Sequence, residues 1–177
     1  HRPASVLDNL NYTFVCEGRD GNLAGAIRVK VEVDIDIAKS KQVIWEKITD
    51  IEHSAKMISG ILAVEVLHRP SQSLLGFKWQ ETRLMFGKQA SEIMWITEAV
   101  TQEYYCTQAQ SHGAIYNTRL ALSAAGDNTR LTMTFSGEAQ TLFGKIMSAC
   151  MGMFMKRSMK KMLYQDLSDI KQYLESN

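Results

Sequence analysis

Residues 76–96 read GFKWQETRLMFGKQASEIMWI. Alternation on both sides of Phe86-Gly87 predicts two antiparallel strands and a hairpin turn, because side chains in a strand project to opposite faces with period two. Phe77, Trp79, Glu81 and Arg83 then share a face. A turn at Phe86-Gly87 or at Gly87-Lys88 pairs this odd set with the even set Ala90, Glu92, Met94 and Ile96, so the membership of the face survives either choice. Only the register depends on it: in one case Arg83 stands opposite Glu92, in the other Glu81 does. Either way a carboxylate and a guanidinium lie on an apolar face, where an unpaired ion costs several kcal/mol.

The same parity extends outward through the runs 61–69, 75–85, 88–98, 103–111, 114–124 and 129–137, which are separated by hairpin-forming residues. It adds Leu75 and Met85, then Tyr105, Thr107 and Ala109, then Ala114, Tyr116, Thr118, Leu120 and Leu122, then Leu131, Met133 and Phe135. The opposite face collects Lys78, Gln80, Thr82, Gln108, Asn117, Arg119 and Arg130, with Ile93 and Trp95 as its main apolar members. Upstream, AIRVKVEVDIDIA at 26–38 alternates without a break and predicts a half-buried strand. Ser40 then caps a short helix carrying Val43, Ile44, Lys47, Ile48 and Ile51 at helical spacing, broken near Asp50 to His53. From Gln140 onward 35 or more residues without proline predict one long helix, kinked near Gly152, with Leu163, Leu167, Ile170 and Leu174 as its apolar stripe. Residues 1–26 read as an extension with a short strand near 11–17, and 27–177 as a single domain.

Composition places limits on function. The 177 residues are 45% apolar and 22% charged, with a net charge of +1. That is the ordinary globular class, and it gives no long-range attraction for nucleic acid. No apolar run approaches the roughly 20 residues of a membrane span, and no leader pattern opens the chain. Cys16, Cys106 and Cys150 lack paired spacing, so a disulfide framework and a zinc site are both unsupported and a reducing cytoplasm is the expected setting. His1, His53, His68 and His112 show no metal-binding spacing. Neither a nucleotide loop, a dinucleotide fingerprint nor a nucleophile elbow occurs, so no cofactor and no metal are expected.

The order strand, short helices, six strands, long helix belongs to the α+β class. The stretches VDIDIAKSKQVIWEKITDIEHSAKMISGI, LLGFKWQETR and GDNTRLTMTFSG, with the closing amphipathic helix, resemble the START-like or Bet v 1-like helix-grip superfamily. Within it they are most similar to the polyketide cyclase/dehydrase and lipid transport branch. The resemblance implies a curved antiparallel sheet of six to seven strands wrapped around the long C-terminal helix, with two short helices after the first main strand. It also implies a cavity between sheet and helix. Phe77, Trp79, Met94, Leu120 and Met133 would form its apolar walls, and Glu81, Arg83, Glu92, Tyr105, Tyr116 and Thr118 would hold a ligand's polar end.

Six methionines fall between Met147 and Met162, and their flexible thioethers suit a lid, Met147 and Met151 among the contacts. The expected partner is a small or medium hydrophobic molecule, lipid-like, polyketide-like or isoprenoid. The competing readings are a cyclase or dehydratase using Glu81 or Glu92 as base with Arg83 and a tyrosine as enolate stabiliser, and an interaction module for a protein or coenzyme. A purely structural ion pair is the plain alternative for Glu81 and Arg83. MKRSMKKM at 155–162 is read as a solvated helix face, any membrane contact being transient.

Overall fold

A computed structural model of the chain describes residues 28–111, 114–139 and 142–176, excluding the side chains of 28–29, 138–139 and 142–155. The extension expected at 1–26, with its short strand, lies outside the described residues, as does His112.

The elements follow the pattern read from sequence. Strand β1 (Arg28–Ile37) precedes helix α1 (Lys41–Ile48) and two turns of 3-10 helix (Ile51–Lys56). Strands β2 (Ile61–His68), β3 (Lys78–Met85), β4 (Lys88–Val100), β5 (Tyr104–Ser111), β6 (Ala114–Ala125) and β7 (Asn128–Ala139) follow, and α2 (Leu142–Ser176) closes the chain. The seven strands form one antiparallel sheet in the order β1-β7-β6-β5-β4-β3-β2. Consecutive strands thus pair along a meander, while β1 and β2, neighbours in sequence, lie at opposite edges; α1 and the 3-10 turn make that crossing. This is the helix-grip architecture.

The start of α1 is fixed by chemistry that the sequence carries. The Ser40 hydroxyl accepts a hydrogen bond from the Val43 amide at 3.4 Å, satisfying a donor that has no partner within the first turn. Helix α1 buries Ile44, Trp45 and Ile48 but leaves Val43 exposed, so its inward face is rotated by one residue from the expected stripe. Trp45 wins the inward position because its ring packs edge-on against Tyr105, centroids 6.1 Å apart.

Leu75 also departs from expectation. Alternation places it on the apolar face, yet it is 56% exposed, because Gly76 adopts φ 81° and holds a turn there; β3 begins only at Lys78.

The second half of α2 buries Leu163, Leu167, Ile170 and Leu174, as its stripe predicts, against a core that includes Val33, Ile37, Leu131 and Met133. Polar ties pin this half of α2 on both flanks. Lys171 Nζ donates to the Asp36 carbonyl at 2.5 Å, and the Ala38 amide donates to Glu175 Oε1 at 2.8 Å, fixing the helix to the end of β1. On the other flank, the amide and hydroxyl of Ser59 both donate to Asp169 Oδ2, at 2.8 and 2.5 Å. These contacts determine which side chains of α2 can meet β3.

Candidate functional site

The β3–β4 turn is Phe86-Gly87, with φ 50° and 78°, and Met85 pairs with Lys88. This two-residue loop sets Glu81 opposite Glu92 and Arg83 opposite Ala90. Across the next strands Met94 pairs with Ala109, Ile96 with Thr107, Ala109 with Tyr116, Thr107 with Thr118, Tyr105 with Leu120, and Leu120 with Met133. The predicted face is therefore continuous from β3 to β7, and it is the one from which Phe77, Trp79, Glu81, Ile96, Tyr105, Leu120 and Met133 are buried. Arg83, Glu92, Met94, Tyr116 and Thr118 on the same face are half-buried. Met147 and Met151 lie in α2, but their side chains are outside the described ones.

The ionic residues divide in a way the strands alone do not predict. Arg83 reaches to α2, where its Nη2 lies 2.9 and 2.8 Å from the two oxygens of Asp166. Its Nη1 stands 3.5 Å from Glu81 Oε1. Glu92 makes no ion pair with it and acts on it only through its field. The cluster is thus Glu81–Arg83–Asp166, not Glu81–Arg83–Glu92. The Trp79 indole N–H donates to the other oxygen of Glu81 at 3.5 Å.

One cation among two buried carboxylates, with Glu92 close behind, leaves surplus negative charge in a poorly solvated place. Burial pushes the Glu81 carboxyl above its ordinary range, and Arg83 and the Trp79 indole only partly offset this. Asp166 moves the same way, since burial outweighs the pull of Arg83. Burial works against the Arg83 charge as well, but Asp166 and Glu81 together more than compensate and keep it protonated. The carboxylates are therefore the members of the cluster that take up a proton.

The two tyrosines differ in what they leave available. The Tyr105 hydroxyl donates to the Ile48 carbonyl at 3.1 Å, which commits it to holding the end of α1; burial, then the field of Glu81, raises its phenol far above the usual range. Tyr116 instead stacks on Phe135, centroids 5.8 Å apart, with its phenol raised by burial and by Glu92. Its ring lies over Gly137, where a Cβ would come within 3.3 Å of Tyr116 Cδ1. A glycine inside a strand often marks such a close approach.

Sequence reasoning missed two members of the site. Asp166 occupies a position in the apolar stripe of α2, three residues after Leu163 and four before Ile170, and a carboxylate there was the signal. Gly60 was the other: a Cβ at this residue would stand 3.0 Å from Arg83 Nη2 and 3.5 Å from Asp166 Oδ1, so the close contact uses the space its missing side chain leaves. Beside the pair a groove of about 420 Å³ opens between Ser59-Gly60, the end of β3 and α2, with Arg83 and Asp166 on its wall. His53 faces outward, its Nδ1 2.8 Å from Asp50 Oδ1, away from this cluster.

Residues 28–175 match the sequence pattern of the family described as polyketide cyclase / dehydrase and lipid transport. The chain belongs to that family. Among solved structures, this family member is similar to a START superfamily protein from Mycobacterium smegmatis, at 15% identity and a TM-score of 0.70 over 86% of this chain and 99% of that one. It is also similar to ginseng major latex-like protein 151 from Panax ginseng, at 12% identity and a TM-score of 0.66 over 82% and 97% of the two chains. The aromatase/cyclase Zhui from Streptomyces sp. R1128 aligns at 10% identity with a TM-score of 0.64, over 84% and 94%. At these identities the likeness is one of fold, and the fold is typical of proteins that bind hydrophobic ligands. No curated protein sequence matches the chain.

Proposed function

We propose that this protein binds a small or medium hydrophobic molecule between the concave face of the sheet and α2, with Glu81 and Glu92 facing the ligand's polar end. The observation that carries the reading is the direct pairing of Glu81 with Glu92 on the face they share with Trp79, Met94, Ile96 and Tyr116. Like charges set opposite each other across a strand pair are destabilising, and a closed apolar core has no use for them. A space that receives a polar group does. Arg83 is engaged by Asp166, so the groups left for a ligand are Glu92, Tyr116 and Thr118, together with Glu81, whose contacts with Arg83 and the Trp79 indole are both long at 3.5 Å, with apolar walls on either side. Family membership supports the same reading, as does the fold. Candidate ligands are lipid-like, polyketide-like or isoprenoid molecules.

Native mass spectrometry of the purified protein tests this by detecting a co-purified apolar molecule, and tryptophan fluorescence follows titration with the three ligand classes through Trp79. Binding that weakens in Glu92→Gln or Glu81→Gln is the expected result. If nothing co-purifies and no ligand class changes the fluorescence, the reading fails. A cyclase or dehydratase activity draws on the carboxyl of Glu81, which burial raises above its ordinary range and which faces the proposed ligand space as a proton-transferring group would. Glu81→Gln that keeps affinity and abolishes turnover of a polyketide-like substrate would support that activity instead.

A further inference from the structure

The β3–β4 hairpin tip carries a residue that turn chemistry disfavours. Phe86 sits at φ 50°, a conformation for which two-residue hairpins select asparagine, aspartate or glycine, and the residue is 52% exposed. Leu84, two residues earlier, is 50% exposed. A large apolar side chain in a strained conformation at the tip of a hairpin gains nothing from the core, so its use is sought outside the molecule.

Next to it lies the one strongly biased charge segment of the chain. Between Glu138 and Asp166 the sequence contains five cations, Lys145, Lys156, Arg157, Lys160 and Lys161, and no acid, although the whole chain carries only +1. Lys156, Arg157, Lys160 and Lys161 are all exposed. At 100° per residue they occupy an arc of about 140°, while Ser158, Met159 and Met162 turn inward. Leu84, Phe86, Lys161 and Met162 border the same groove, so the apolar tip and the cationic face are adjacent.

We propose that this surface docks reversibly on an anionic lipid bilayer, Phe86 and Leu84 entering the acyl boundary while the four exposed cations of α2 meet acidic headgroups. Charge complementarity names the occupant, and the shape selects a bilayer over a protein: the apolar residues stand on a projecting tip, which a bilayer accepts by insertion. Cations near such a surface add attraction within a Debye length. Among the described residues no helix is long and apolar enough to cross a membrane, so the contact is a surface one. Docking would place the groove mouth, with Arg83 and Asp166 on its wall, against the lipid. The inference stands on the hairpin and the helix and does not require the ligand reading above.

Co-sedimentation of the full chain with phosphatidylcholine vesicles, with and without phosphatidylserine, tests it. Binding to the anionic vesicles alone is expected, weakening as salt rises. Paired Lys160→Glu and Lys161→Glu should reduce it at least tenfold, taking about 1 kcal/mol for each cation lost and more for reversal. Phe86→Asn is the decisive variant, since it suits the turn and should leave the melting temperature equal or higher while reducing vesicle binding several-fold. Equal binding to both vesicle types, binding to neither, or wild-type binding by Phe86→Asn overturns the proposal. So does self-association, detected by sedimentation velocity without vesicle binding and lost in Phe86→Asn, which would assign the surface to a second copy of the chain.

Discussion

Arg83 on β3 and Asp166 on α2, 83 residues apart in sequence, meet with Arg83 Nη2 at 2.9 and 2.8 Å from the two carboxylate oxygens. The pair joins the strand next to the sheet edge to the helix that covers the sheet. It also accounts for a guanidinium on an apolar face: Arg83 leans out of the sheet to satisfy a helix residue, not a cross-strand neighbour.

Removing one partner should therefore cost more than the pair is worth. Arg83→Ala or Asp166→Ala leaves a poorly solvated charge and is expected to destabilise the fold by about 3 kcal/mol. For a domain of this size that lowers the melting temperature by roughly 6–12 °C. The double replacement Arg83→Met with Asp166→Leu should recover most of the loss, because burial of apolar groups substitutes for the pair. Denaturant unfolding of the three variants checks both parts.

Gly60→Ala probes the same contact from its third side. The added methyl would lie 3.0 Å from Arg83 Nη2, so the guanidinium must shift or the loop must move. A loss of about 1–3 kcal/mol is expected, typical of overpacking. In an Arg83→Met background the same substitution should cost clearly less. Additive losses in a double-mutant cycle would show that Gly60 and Arg83 do not interact.

These three residues also show where reading the sequence stops. Alternation fixes the face of every strand residue, which is why Glu81, Glu92, Tyr116 and Met133 are correctly grouped from parity alone. It does not fix the turn by one residue, and that single step decides whether Glu92 opposes an arginine or a glutamate. Nor does periodicity say which strand a helix residue meets. Asp166 stood in an apolar stripe, visible as an anomaly, but its partner depends on how α2 is pinned by Ser59 on one flank and Ala38 on the other. Leu75 fails for a local reason, the positive φ of Gly76, which outweighs an apolar pattern that would otherwise extend the strand.

Tyr105→Phe is expected to destabilise by about 1–2 kcal/mol, because the Ile48 carbonyl at the end of α1 loses its buried donor. The packing of the ring on Trp45 remains, so the variant should keep its fold. In the wild type the Tyr105 phenol should resist ionisation in an alkaline ultraviolet titration, since burial raises it well above a free tyrosine. An absorbance change for Tyr105 at the usual tyrosine pH, found by subtracting the Tyr105→Phe titration, would contradict this placement.

Glu81 makes the stability depend on pH in a direction opposite to that of a favourably paired carboxylate. Its pKa is raised above the ordinary 4.5, burial being the largest cause, so the folded state holds this proton more tightly than the unfolded one. Between the ordinary and the raised value the native state binds more protons, and stability falls as pH rises through that window. Below the window Glu81 imposes no such cost; above it the cost is present in full. Glu81→Gln keeps the shape and removes the charge, so it should stabilise the protein at neutral pH, with the gain shrinking as pH drops through the window. Asp166, raised by the same cause, should retain its own part of the decline in that variant. Unfolding midpoints of wild type and Glu81→Gln across this range measure the difference, and a variant less stable than wild type at neutral pH would mean that the Arg83 contact outweighs burial.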